Sequence, residues 1–120
     1  MRYMVMVTSK ENAGPPPQPL MDGIAKLGEE AGKSGVMVEM GGLMPTSLGA
    51  RVRLFGGKIT VTDGPFAEAR EVVGGFAVYD VKTKADAIYW TERFMQLHQQ
   101  HWPGWEGESE IRQMFGPPQG

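Results

Sequence analysis

The chain has 120 residues, 41% hydrophobic and 22% charged, which is ordinary for one globular domain. A net charge of −2 argues against a broad nucleic-acid surface, and the absence of Cys excludes disulfides and Cys-ligated zinc. No apolar run is long enough for a membrane span or a signal peptide. We therefore expect a single domain over residues 1–120, located in the cytoplasm, with no nucleic-acid or membrane partner.

The first part of the chain predicts a strand, a helix and a second strand. Met1–Thr8 is apolar on both alternating faces, which is typical of a central strand covered on both sides. Asn12–Pro19 is too rich in proline for helix or sheet, and it is a candidate lid over a pocket. Leu20–Lys33 has apolar residues at helical spacing, and Val36–Met40 follows as a short strand.

The middle of the chain predicts a hairpin. Ala50–Leu54 and Lys58–Thr62 both alternate apolar and polar residues, and Gly56-Gly57 lies between them, as in a tight turn. The segment Phe66–Val73 is compatible with one or two turns of helix or with a loop, which Gly74-Gly75 would end.

The last part of the chain predicts a strand, a helix and a strand. Phe76–Val81 is the first of these, and Thr83 with Asp86 forms a capping-box pattern for a helix that runs to about His98. Glu108–Phe115 alternates again and is the final strand.

The predicted order is β-α-β, a hairpin, then β-α-β. Without the hairpin this is the split β-α-β arrangement of ferredoxin-like α+β domains. Two helices cover only one face of such a sheet, so the other face needs a partner. We expect a homodimer that packs sheet on sheet.

Asp63 is the first candidate for chemistry. It ends the second arm of the hairpin beside a Gly-Pro turn, where a carboxylate could face a pocket and act as a general acid or base. The alternative is a carboxylate that caps its own turn. Arg70 could bind an anionic substrate or lower the pKa of Asp63, with Phe66 and Glu71 beside it; alternatively Arg70 and Glu71 form a surface ion pair.

Other charged residues allow two interpretations. Arg51 and Arg53 share one strand face, and Arg112 lies beside Glu110, so these arginines could form an anion clamp or simply face solvent. Two histidines, His98 and His101, could be half of a metal site, but no further ligand has a recognisable spacing, and no metal is predicted. Because nucleotide, zinc-protease and serine-hydrolase motifs are missing, no cofactor is predicted.

Residues 62–76 read TDGPFAEAREVVGGF, and this segment resembles the DGPF branch of the YCII-related protein family. The helix segment DAIYWTERF and the late Glu-Ile-Arg also resemble that branch, so the similarity covers nearly the whole chain. The resemblance is carried by Asp63, Gly64, Pro65, Phe66, Ala67, Glu68, Arg70, Glu71, Gly74, Gly75 and Phe76.

The resemblance implies a ferredoxin-like fold that dimerises as an α+β barrel. YCII-type relatives are suspected enzymes because a His and an Asp share a pocket. Here Leu20–Lys33 contains no His, so that pair is not carried over. Some DGPF proteins are associated with extracytoplasmic-function sigma factors, which makes such a factor a candidate partner.

Two functions follow as hypotheses. The first is a small-molecule-binding protein or a cofactor-free acid–base enzyme of the isomerase or lyase type. Asp63 would be its acid or base, and Arg70, Glu71, Arg112 and Phe66 would contact the substrate. The alternative is a non-catalytic dimeric module that binds or regulates a protein partner, in which residues 63–75 are a structural loop.

Overall fold

A computed structural model gives the fold and describes residues 1–66 and 71–116. Within these residues the fold is α+β, with short 3₁₀ turns at Glu11–Ala13 and Thr46–Leu48. The strands and helices are β1 (Arg2–Ser9), α1 (Gln18–Lys33), β2 (Met37–Gly42), β3 (Ala50–Phe55), β4 (Lys58–Asp63), β5 (Val72–Asp80), α2 (Lys84–His101) and β6 (Gly107–Gln113).

Four of the strands form one sheet in the order β2-β5-β1-β6, with every neighbouring pair antiparallel. The first strand is therefore an inner strand, as its apolar character predicts. Val5 lies opposite both Ala77 and Ile111, and Tyr3 lies opposite Tyr79. These side chains belong to the core, together with Ala87 and Trp90 of α2.

Both helices pack on one face of this sheet. Because side chains alternate between the faces of a strand, the neighbours of the core residues point to the opposite face. That face, called the open face below, has the half-buried Met4, Met6 and Phe76 in its centre, together with Val78, which is only 6% exposed. The sequence of β1 predicts that both of its faces are covered, but the two helices cover only one of them.

The residues at the starts of the two helices suit the backbone N–H groups that have no partner within a helix. In α1, Pro19 occupies the first turn, where its missing N–H is not needed. In α2, the Thr83 hydroxyl accepts a hydrogen bond from the Asp86 N–H at 3.1 Å, and the Asp86 carboxylate accepts one from the Thr83 N–H at 3.3 Å. The predicted capping box is thus confirmed, although α2 continues three residues beyond the predicted end to His101.

Strands β3 and β4 form a separate two-stranded sheet. Gly56 and Gly57 have φ values of 59° and 75°, as a two-residue turn between twisted strands requires, so the predicted hairpin is confirmed. Residues Val52, Leu54, Ile59 and Val61 share one of its faces and are 71%, 70%, 66% and 67% exposed. The hairpin therefore extends from the main sheet as an arm with a bare apolar face.

The structure differs from the sequence expectations at two boundaries. Strand β5 begins at Val72, so residues 71–73, predicted as helix or loop, are mostly strand, and Gly74-Gly75 lie inside it. Two successive β-branched residues favour a strand, and the glycines coincide with a register shift between Val7 and Thr8 on β1. Helix α1 begins at Gln18, within the segment predicted as a loop.

Neither helix in the described part of the chain combines the length and the apolar character that a membrane span needs.

Candidate functional site

The Asp-Gly-Pro-Phe motif lies at the base of the hairpin. Asp63 is the last residue of β4 and pairs with Ala50 at the start of β3. The next N–H, that of Gly64, donates a hydrogen bond to the Gly49 carbonyl at 2.9 Å. The half-buried ring of Phe66 lies 4.0 Å from the guanidinium carbon of Arg51. The motif thus closes the hairpin where it leaves the main sheet.

The same base is anchored to the chain segment that follows β1. The Thr46 N–H and hydroxyl donate hydrogen bonds of 2.5 and 2.7 Å to the two carboxylate oxygens of Glu11. These hydrogen bonds lower the pKa of Glu11. A Cβ on Gly64 would overlap the Thr46 carbonyl, so a glycine is required at this position. Glu11, Thr46 and Gly64 together fix where the arm begins.

The predicted site residues are dispersed over these elements. The side chain of Asp63 is exposed and has no hydrogen bond or ion pair among the described residues. Arg70 lies outside the described residues.

Arg112 forms an exposed ion pair with Glu110 at 3.1 Å, on the open face beside Met4. Arg51 and Arg53 lie in the other sheet, so the described contacts do not bring the predicted arginine clamp together.

Glu71 lines a surface cavity of about 440 Å³. Trp102 and Trp105 from the turn after α2 form one side of it, and Lys10 lies on another. Asp63 is not among the residues that line this cavity or the groove described next. The assignment of Asp63 as an acid or base remains a prediction.

A larger groove of about 730 Å³ lies between α2 and β6. His98 lines it and is only 7% exposed. Its ring lies between two aromatic rings, with centroids 4.6 Å from Phe94 and 4.4 Å from Trp105. Apolar side chains of Ile88 and Met95 complete the helical side of this groove, which we call the His98 groove.

The protonation of His98 follows from its contacts. Its Nδ1 lies 3.0 Å from the Phe94 carbonyl oxygen, which can only accept, so Nδ1 carries the hydrogen. Burial lowers the pKa of His98, although the hydrogen bond to Phe94 opposes that effect. The neutral ring then presents Nε2 as an acceptor. No described residue bonds to Nε2, and no partnerless side-chain nitrogen or oxygen of the described residues is sealed from solvent, so Nε2 is accessible on a residue that lines the groove.

In the sequence, the spacing of His98 and His101 indicates at most half of a metal site. No group of three or more potential metal ligands occurs among residues 1–66 and 71–116. The usable signal was helical spacing, because Ala87, Thr91 and His98 are the buried positions of α2. The position of His98 in the buried stripe of α2 is therefore a better indicator of the groove than its spacing from His101.

The comparison with models of protein families identifies one family. No curated protein matches the chain. The model of the YCII-related domain matches residues 1–98, which include the hairpin, the Asp-Gly-Pro-Phe motif and most of α2. The chain belongs to the YCII-related family.

Proposed function

We propose that the chain is a homodimeric small-molecule-binding domain, in which the hairpin arm of each copy covers the open face of the other. The observation that carries the proposal is the bare apolar face of the hairpin. Four apolar side chains are neighbours on this face, and each is about two-thirds exposed: Val52, Leu54, Ile59 and Val61. Apolar patches of this kind on a small domain mark an interface.

The shape of the chain supports a partner of the same kind. Its radius of gyration is 16.2 Å, and its extents are 44 × 42 × 19 Å. A compact domain of this length has a radius of gyration of about 14 Å. At roughly 100 Å² for each Val, Leu or Ile side chain, two arms and the two faces they cover would bury about 1,600 Å², which is typical of a stable interface.

The main sheet supports the finer fold assignment made from the sequence. The strand order β2-β5-β1-β6, with α1 and α2 on one face, is the order of a ferredoxin-like domain once the hairpin is set aside. Two such sheets with their open faces together would form a dimeric α+β barrel. The half-buried side chains of Met4, Met6 and Phe76 would line its interior.

The ligand site in this proposal lies at the seam between arm and open face. Arg112 is on that face, and its ion pair with exposed Glu110 is weak enough to be exchanged for a ligand carboxylate. Asp63 marks the base of the arm, and it is the proposed acid or base if the site is catalytic. The ligand class is therefore a small carboxylate.

The experiment compares the wild type with Leu54→Thr/Ile59→Thr, which replaces one apolar cross-strand pair by threonines, polar residues that still favour a strand. Sedimentation equilibrium is expected to give a wild-type dimer. The double variant loses at least about 100-fold in dimer affinity, because four side chains per dimer each lose about 1 kcal/mol or more. Arg53→Thr on the opposite face of the hairpin is the matched control and leaves the affinity unchanged.

The binding arm of the experiment titrates the dimer with a panel of small carboxylates. Arg112→Gln is expected to weaken binding about tenfold or more, since a charge-assisted hydrogen bond is lost. Asp63→Asn tests the base in any turnover that is detected. A monomeric wild type would overturn the dimer and favour an arm that docks on a different protein. A dimer that binds every carboxylate equally well after Arg112→Gln would overturn the ligand site alone.

A further inference from the structure

The His98 groove has the features of a second site that the proposed function does not use. A polar side chain more than nine-tenths buried lines the groove, and one of its two ring nitrogens has no partner. An unpartnered acceptor in a groove of about 730 Å³ is a position at which a ligand donor can bind.

The groove also has a defined electrostatic character. Three carboxylates, those of Glu92, Glu106 and Glu108, line it, while no Lys or Arg is among its described lining residues. An anion would be repelled at such a site, and a cation would be attracted. Because His98 is neutral, it adds no positive charge that would offset the carboxylates.

The walls of the groove select the shape of the ligand. The ring of Trp105 lies beside that of His98, with the two planes tilted by 37°, and it lines the groove, where a flat ligand can contact it. Ile88, Met95 and Ile111 provide apolar contacts on the helix and on β6. A Cβ at Gly107 would overlap the Trp105 ring. Because glycine has no Cβ, the ring can lie against β6 at this position.

We infer that the groove between α2 and β6 binds an aromatic amine cation, whose N–H or O–H group donates a hydrogen bond to Nε2 of His98. The ring of the ligand packs on Trp105 and the apolar walls. The carboxylates at the groove hold its ammonium group. This site is independent of the carboxylate site proposed at the dimer seam, and it selects the opposite charge.

The test uses tyramine as the probe and 4-hydroxyphenylacetate, which carries a carboxylate in place of the ammonium, as its matched anion. Because the proposed seam site at Arg112 would itself bind a carboxylate, both probes are titrated into the full chain carrying Arg112→Gln. Isothermal titration is expected to show tyramine binding as in the wild type, with the anion at least about tenfold weaker. His98→Phe keeps a ring between Phe94 and Trp105 but removes Nε2, and it weakens tyramine about tenfold or more. His101→Phe, which does not line the groove, leaves the affinity unchanged.

The inference is overturned if tyramine does not bind, if His98→Phe binds tyramine equally well, or if the chain carrying Arg112→Gln binds the anion as tightly as tyramine. If His98→Phe does not fold, the imidazole nitrogen resonances of the wild type decide. A shift of the Nε2 resonance when tyramine saturates the protein supports the site, and an unchanged resonance refutes it. Binding that depends on Arg112 instead of His98 would assign the probe to the dimer seam and refute the groove site.

Discussion

At the scale of single residues, Gly64 determines how the arm joins the body of the molecule. A Cβ there would overlap the backbone carbonyl of Thr46, and a backbone atom cannot rotate away as a flexible side chain can. Gly64→Ala is therefore expected to lower the free energy of unfolding by about 1–3 kcal/mol, the usual cost of an overpacked contact. Urea denaturation followed by circular dichroism measures this change.

Gly74→Ala is the matched control for that substitution. No atom lies within 4 Å of the position that its Cβ would occupy, so its unfolding free energy is expected to change by no more than about 0.5 kcal/mol. Equal destabilisation by the two substitutions would show that the contact with Thr46 is not the cause.

His98 makes the stability of the chain depend on pH. Since burial lowers its pKa in the folded state, the unfolded chain takes up a proton first as the pH falls below about 6.5. The unfolded state then binds more protons than the folded state, so the free energy of unfolding falls with decreasing pH until the folded pKa is reached. Glu92, Glu106 and Glu108, which line the same groove, reduce this effect by favouring the imidazolium.

Urea denaturation on either side of pH 6.5 measures the effect, and His98→Phe is expected to remove that part of the slope. His101→Phe provides the comparison on the same helix. A slope that is unchanged by His98→Phe would contradict the assignment, whatever the cause of the remaining pH dependence.

At the scale of elements, the hairpin was predictable because its evidence is local. Alternation over two short runs and Gly56-Gly57 between them are enough to identify two strands and their turn. The start of β5 was not predictable, because Val72 and Val73 become strand residues only through pairing with distant β1. The groove was not predictable either, since its second wall is β6, whose position depends on pairing with distant β1.

The hairpin also gives a test at the element scale. A two-stranded sheet alone is marginally stable in water, so its backbone amides in β3 and β4 are expected to exchange rapidly with deuterium in a dilute, monomeric sample. In the proposed dimer the same amides become protected, while those of β1 are protected at both concentrations. If the rate of deuterium exchange in β3 and β4 does not change with protein concentration, the hairpin of one copy does not cover the other copy.

At the scale of the whole molecule, the two proposed sites lie on opposite sides of the main sheet and carry charges of opposite sign. The open face has Arg112 for an anion, whereas the His98 groove on the other side of the sheet has three carboxylates for a cation. The helices cover one face of the sheet and leave the other uncovered, and in the proposed dimer a second copy would cover that other face. A carboxylate and an amine would therefore bind without competing directly for the same contacts.

The central position of β1 has a consequence for biosynthesis. The ribosome makes β1 before either of its partners, which are β5, about seventy residues later, and β6, which is later still. The hairpin can form as soon as its own residues emerge, while the apolar β1 remains unpaired until β5 has been translated. Such long-range pairing is slow and prone to aggregation, so we expect the nascent domain to depend on chaperones until β5 and β6 have emerged.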